Sequence, residues 1–166
     1  MKTLYLLRHA HTESAALGQD DHDRVLSPRG HEEARNVGLY MKEQGLVPDA
    51  MLCSSSVRTT ETARLVFEAL FDGGKVPVAS SIDRDYYLAT PRTLFDGVTQ
   101  ADDRFESLII IGHNPGMGDL AATLAGAGGQ DIGGFPPAAL AAFTCDVGTW
   151  ENFSLDDAKL KALFMP

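Results

Sequence analysis

The stretch Leu4-Tyr5-Leu6-Leu7-Arg8-His9 narrows the available folds more than any other. Its apolar run has strand length and no polar alternation, the pattern of a strand covered on both faces in a parallel sheet. It stops abruptly at an arginine and a histidine. Open parallel sheets bind ligands beyond the carboxyl ends of their strands, so Arg8 and His9 fall where chemistry is usually placed. Taken alone, the pair reads equally well as a strand cap and a satisfied core histidine.

The remaining pattern supplies the partners such a strand needs. Ala50-Met51-Leu52-Cys53 reads as a short buried strand, Val76 to Ser80 as a third with Pro77 at an edge or strand start, and Leu108-Ile109-Ile110-Ile111 as the clearest of all. A further strand is expected near Ala139 to Cys145, and two short closing strands near Trp150-Phe153 and Leu160-Phe164. Between them lie helical patterns. Ser27 as N-cap and Pro28 at the first position open one that Gly45 ends, with Ala34, Val37, Leu39, Tyr40 and Met41 on its apolar face. A second spans Val57 to Phe71, with Ala63, Val66, Phe67 and Leu70 on one face; a third starts at Thr90-Pro91; a fourth runs from Pro115 to about Leu124. Residues 14–27 read as a polar surface loop, and Gly126–Gly134 as a glycine-rich wall or connection. Strands alternating with helices predict a three-layer α/β/α sandwich with a mainly parallel central sheet. With 166 residues and no internal repeat, one domain over 1–166 is the expectation.

Charge and cysteine content exclude several classes. A formal charge of -9 argues against nucleic acid or an anionic membrane as partner. Cys53 and Cys145 are too few for a disulfide framework, which suits a reducing compartment. The amino terminus carries no signal-peptide pattern and no apolar run reaches membrane-spanning length, so a cytoplasmic location is expected. The oligomeric state is not readable from the chain.

Three of the strands lead into polar residues of one chemical type. The first gives Arg8-His9, the second is followed after Ser54-Ser55-Ser56 by Arg58, and the fourth gives Gly112-His113. In a parallel sheet these ends share one edge and converge on a pocket. Two guanidinium groups and two imidazoles there describe an anion site, since guanidinium forks match phosphate oxygens. The helix start at Asn114-Pro115 is expected to add free N–H groups, and Thr12 a hydroxyl donor. A neutral histidine in such a pocket can act as acid–base group or as a nucleophile on phosphorus. The cations would stabilise charge on the transferring group with no metal and no cofactor. His11 makes a His-x-His with His9, but two ligands do not make a metal site. His22 and His31 read as surface residues.

These residues carry a family resemblance. Leu7-Arg8-His9-Ala10 resembles the Arg-His-Gly signature of the histidine phosphatase superfamily (phosphoglycerate mutase-like), with Ala10 in place of glycine. Leu26-Ser27, Gly30 and Glu33-Ala34 resemble its first helix start. Ser54 through Arg58, Thr59, Thr62 and Ala63 resemble its second arginine segment, and Gly112-His113-Asn114-Pro115 its second histidine motif. Asp23-Arg24, Leu26-Ser27, Arg29-Gly30 and Phe135-Pro136-Pro137 resemble the short SixA-type phosphohistidine phosphatases, with Val25 where proline is usual. The resemblance implies a phosphoglycerate mutase-like fold, His9 as nucleophile, and Arg8, Arg58 and His113 as phosphate ligands.

Two departures bear on the substrate. The asparagine common after the first motif corresponds to Ala15, and the usual glutamate proton donor is absent from Asp83-Arg84-Asp85-Tyr86-Tyr87. Asp85 is the substitute candidate for that donor. A missing strong acid suits a good leaving group, such as the imidazole of phosphohistidine. The expectation is therefore a metal-independent phosphatase acting on phosphohistidine in a protein, with a phosphatase for small phosphorylated metabolites as the alternative. A non-catalytic phosphate-binding module is a third reading from another class.

Overall fold

The computed structural model describes residues 1–76 and 78–166. Its strands are β1 (Lys2–Arg8), β2 (Ala50–Ser54), β3 (Ala79–Asp83), β4 (Ser107–Gly112), β5 (Leu140–Cys145) and β6 (Ala158–Phe164). The α-helices are α1 (Pro28–Glu43), α2 (Val57–Leu70), α3 (Pro91–Thr99) and α4 (Gly116–Ala127). The strands form one sheet in the order β3-β2-β4-β1-β5-β6. β1 to β4 run parallel, while β5 is antiparallel to β1 and β6 to β5. This is the expected three-layer sandwich with a mainly parallel sheet.

The unbroken apolar strands are explained by burial on both faces. Leu4, Leu6, Leu108 and Ile110 pack with α3 and α4, whereas Tyr5, Leu7, Ile109 and Ile111 pack with α1 and α2. Each buried Leu or Ile contributes roughly 1.5–3 kcal/mol. The proline starts predicted for α1 and α3 hold, while α4 begins at Gly116 with Pro115 as its N-cap. Ser27 Oγ accepts from the Gly30 N–H at 3.1 Å, and Thr90 Oγ1 from the Thr93 N–H at 3.2 Å. Gly45, with φ +65°, occupies the left-handed position just past α1. In α2 the whole predicted face is buried; in α1 Ala34, Val37 and Met41 are buried, but Leu39 points to solvent.

Two strand expectations need correction. The third strand begins at Ala79, not Val76, and Pro77 lies outside the described residues. β3 is an edge strand bonded only to β2, and all five residues are exposed, so no apolar pattern marks it. Trp150–Asn152 is a 3-10 turn, not a strand. It inserts the Trp150 ring into the core, where the indole N–H donates to the Phe105 carbonyl at 2.9 Å. Beside it, Lys2 is buried and satisfied: Nζ donates to the carbonyls of Asp103 at 3.0 Å and Phe105 at 2.9 Å. Among the described residues, no helix is long and apolar enough to cross a membrane.

Candidate active site

β1, β2 and β4 are neighbours and end together, and a 590 Å³ cavity opens at those ends. Arg8, His9, His11, Thr12, Asp21, Arg24, Arg58 and His113 line it. The sheet register pairs Arg8 with Gly112, which sets His9 and His113 side by side with ring centroids 5.2 Å apart.

His9 is held through its backbone from both flanking strands. Its N–H donates to the Gly112 carbonyl at 3.1 Å, and its carbonyl accepts from the Ala138 N–H at 3.0 Å. Nδ1 lies 2.8 Å from the Ala10 carbonyl, which can only accept. The proton of the neutral ring therefore sits on Nδ1, and Nε2 keeps its lone pair. Burial lowers the pKa of His9 to about 4, helped by Arg58, Arg8 and Arg24 and opposed by the Ala10 carbonyl. At neutral pH the ring is an uncharged base. Ala10 is buried with a φ outside the left-handed region, so alanine fits where the resembling motif has glycine.

The turn after His9 is braced by the other motif positions. The Ala10 N–H donates to Thr62 Oγ1 at 3.1 Å, the His11 N–H to Glu33 Oε2 at 3.0 Å, and the Ser27 N–H to the His11 carbonyl at 3.0 Å. His11 Nδ1 is 2.9 Å from Ser27 Oγ. A Cβ on Gly30 would lie 1.9 Å from the His11 carbonyl oxygen, so only glycine allows α1 to approach.

The guanidinium groups are anchored at one end. Arg8 Nη1 donates to the Phe135 carbonyl at 2.9 Å, while its Nε is buried without a partner among the described residues. The Phe135 carbonyl also accepts from Asn114 Nδ2 at 2.9 Å, which explains the phenylalanine-proline segment ahead of β5. Arg58 is buried, with Nη2 donating to Asp21 Oδ2 at 2.9 Å and Nη1 to the Asp21 carbonyl. Arg24 Nη2 donates to Thr12 Oγ1 at 2.6 Å, leaving the Thr12 hydroxyl proton free to donate.

His113 is buried; Nε2 is 2.8 Å from Ser54 Oγ, and Nδ1 has no partner among the described residues. Burial lowers its pKa to about 3, reinforced by His9 and Arg58. Two buried nitrogens, Arg8 Nε and His113 Nδ1, thus stand without a partner among the described residues, and both side chains line the same cavity. That arrangement fits an oxyanion.

Asp85 does not join this group. It lines a separate cavity with Ser81, Asp83 and Asp96, because Asp83 caps the 3-10 turn Arg84–Tyr86 and turns Asp85 away. From this connection Leu88 lines the cavity, and the ring of Tyr87 packs edge-on against His113 at 5.3 Å. Its hydroxyl donates to Asp21 Oδ2 at 2.5 Å. Asp21, in the stretch expected to be mere surface loop, is the carboxylate that lines the cavity. The Tyr87 hydrogen bond, then those from Arg24 and Arg58, hold its pKa well below the usual carboxylate range against the opposing effect of burial. His22 is also no plain surface residue: it packs edge-on to Tyr87 and lies 3.0 Å from Ser55 Oγ.

The amino terminus of α4 offers fewer free donors than expected. The N–H groups of Met117 and Asp119 bond the carbonyls of His113 and Pro115, and the Gly118 N–H bonds Asn114 Oδ1 at 3.0 Å. The loop after α4 walls a second cavity of 540 Å³ that shares Asn114 with the first. No group of three or more candidate metal ligands occurs among the described residues.

An α/β sandwich with two histidines and two arginines gathered beside adjoining strand ends is suited to binding a phosphoryl group. The model for the histidine phosphatase superfamily (branch 1) matches residues 4–78. An uncharacterized protein of Mycobacterium tuberculosis is 33% identical over 69% of this chain and 67% of its own. The Agrobacterium tumefaciens structure designated phosphohistidine phosphatase SixA is 26% identical, with a TM-score of 0.80, over 99% of this chain and 98% of that one. A mycobacterial glucosyl-3-phosphoglycerate phosphatase shares the fold at 16% identity and a TM-score of 0.62, covering 97% of each chain. The chain belongs to the histidine phosphatase superfamily, where it is a phosphatase with SixA-like structural neighbours.

Proposed function

We propose that the chain hydrolyses phosphohistidine on another protein through a phosphorylated His9, without a metal. The observation that carries this reading is the 2.8 Å contact from His9 Nδ1 to the Ala10 carbonyl, which leaves Nε2 as a neutral nucleophile. In the first step the Nε2 lone pair attacks phosphorus and the substrate P–N bond breaks. Its electron pair leaves with the substrate imidazole. In the second step water attacks phospho-His9, and inorganic phosphate departs as His9 is restored. Arg8, Arg58 and His113 bind the phosphoryl oxygens, and Thr12 adds a hydroxyl.

The substrate class follows from proton supply. Asp21, the carboxylate lining the cavity, is held ionised by Tyr87, Arg24 and Arg58 and is a poor acid. An alkoxide leaving group needs a proton from the enzyme. Phosphohistidine does not, because its other ring nitrogen can carry the proton and let the imidazole leave neutral. The first step also exchanges one P–N bond for another, so little energy separates its two sides. The second reading, a small phosphorylated metabolite, is favoured by the 590 Å³ cavity, a volume that suits a small molecule.

The test is incubation with a ³²P-phosphohistidine protein, trapping of acid-labile phosphate on the chain, and comparison of rates with a panel of sugar phosphates. Label is expected on wild type and absent from His9→Ala. A His9→Ala variant with full turnover would remove the nucleophile assignment, and a strong preference for one sugar phosphate would favour the second reading.

A further inference from the structure

His113 presents a question of proton location. A neutral imidazole carries one N–H, and the ring has two different surroundings. Nε2 lies 2.8 Å from Ser54 Oγ and 3.5 Å from Ser56 Oγ, while Nδ1 is buried with no partner among the described residues. A proton on Nδ1 makes the ring a donor to an oxyanion in the cavity. A proton on Nε2 would leave a lone pair on the nitrogen that has no protein partner.

The hydroxyl groups around Nε2 decide between these states. Thr59 Oγ1 lies 2.8 Å from the Ser54 carbonyl and 2.9 Å from the Ser56 carbonyl, so its one proton goes to a backbone acceptor. Its oxygen then accepts the Ser56 hydroxyl proton across 2.7 Å. Ser54 Oγ already accepts from the Ser56 N–H at 3.3 Å. Ser54, Ser56 and Thr59 are all fully buried, which closes this network to water. Among the described residues, the acceptor left for the Ser54 hydroxyl proton is His113 Nε2. Were Nε2 protonated instead, the Ser54 proton would be stranded in a dry interior, at a cost comparable to any buried unsatisfied donor.

We propose that Ser54 is a positioning residue that fixes the proton of His113 on Nδ1, so that this histidine enters the cavity as a hydrogen-bond donor. The chain of command runs from the backbone at the end of β2 through Thr59 and Ser56 to the Ser54 hydroxyl. It couples the start of α2, which carries Arg58, to the imidazole at the end of β4. The identity of the anion rests on the phosphoryl reading above; the tautomer does not.

The experiment is ¹⁵N NMR of histidine-labelled protein at neutral pH, with and without inorganic phosphate. His113 should show a pyrrole-type Nδ1 and a pyridine-type Nε2 in the free wild-type protein. In Ser54→Ala that assignment should be lost, and inorganic phosphate should bind about tenfold more weakly. His9→Ala should abolish phosphoryl transfer yet leave the His113 tautomer unchanged, so failure of the chemical reading and failure of this one appear in different measurements. A proton on Nε2 in wild type overturns the proposal. So does a Ser54→Ala protein whose tautomer and phosphate affinity match wild type.

Discussion

Replacing Gly30 by alanine probes how His9, the proposed nucleophile, is held without touching it. The added Cβ would sit 1.9 Å from the His11 carbonyl oxygen, 2.9 Å from its carbon and 3.1 Å from its nitrogen. All three are backbone atoms, so no flexible side chain can swing aside. Ordinary contact begins at 3.4 Å, so α1 and the turn after β1 must separate by about 1.5 Å. That opening breaks the 3.0 Å bond from the Ser27 N–H to the His11 carbonyl and loosens the bond from the His11 N–H to Glu33. Two hydrogen bonds at about 1 kcal/mol each, with about 1–3 kcal/mol for the strain of overpacking, give a loss of about 3–5 kcal/mol. The same shift drags the Ala10 carbonyl that fixes the tautomer of His9. A misplacement of about 1 Å costs on the order of 100-fold in rate. Thermal unfolding and kcat on a phosphoryl substrate measure both effects. A Gly30→Ala protein with parental Tm and kcat within about threefold would refute the reasoning.

Other outcomes follow from the same structure. With His9 attacking as an uncharged ring, as proposed, kcat/KM on a substrate that does not itself titrate should fall as pH drops through about 4 and be flat towards neutrality; a loss centred near the ordinary histidine value would contradict this. The lowered pKa values of His9 and His113 make the unfolded chain bind more protons than the folded one below the ordinary histidine pKa of about 6.5. Stability is therefore untouched above that pH and declines as pH falls from about 6.5 towards 4, as urea midpoints across the range should show. Lys2→Met should cost about 2–4 kcal/mol in urea unfolding, since it deletes a buried ammonium bonded to two carbonyls. Gly126→Ala, in α4 with open space around the new Cβ, should instead add about 0.5 kcal/mol.

The sequence made the site legible where it depended on strand ends. Arg8, His9 and His113 follow apolar runs, and Arg58 follows a serine turn, so a parallel sheet was enough to bring them together. What stayed hidden depended on contacts across the chain. Asp21 lies among polar residues with no periodicity, and its role exists only because the 3-10 turn Asp21–Asp23 packs on the start of α2. Asp85 was the substitute for the glutamate donor that the family resemblance implied, yet the cap at Asp83 leaves it in a separate cavity, and Tyr87 is the residue that bonds Asp21. β3 escaped accurate placement because an exposed edge strand needs no apolar pattern. The stretch Trp150–Phe153, expected as a closing strand, instead opens with a 3-10 turn whose tryptophan plugs the core.

The Phe135 carbonyl, which receives hydrogen bonds from both Arg8 and Asn114, belongs to the main chain. No side-chain substitution deletes it. A mutational scan would score position 135 by how well each residue fills the apolar space of the phenylalanine ring, and the site would register as a packing position. Its hold on Arg8 and Asn114 would surface only with backbone chemistry, such as an ester in place of the amide that weakens the carbonyl as an acceptor. In this protein part of what positions Arg8 and Asn114 is therefore inherited with the path of the chain, and can persist while the residue that carries it drifts.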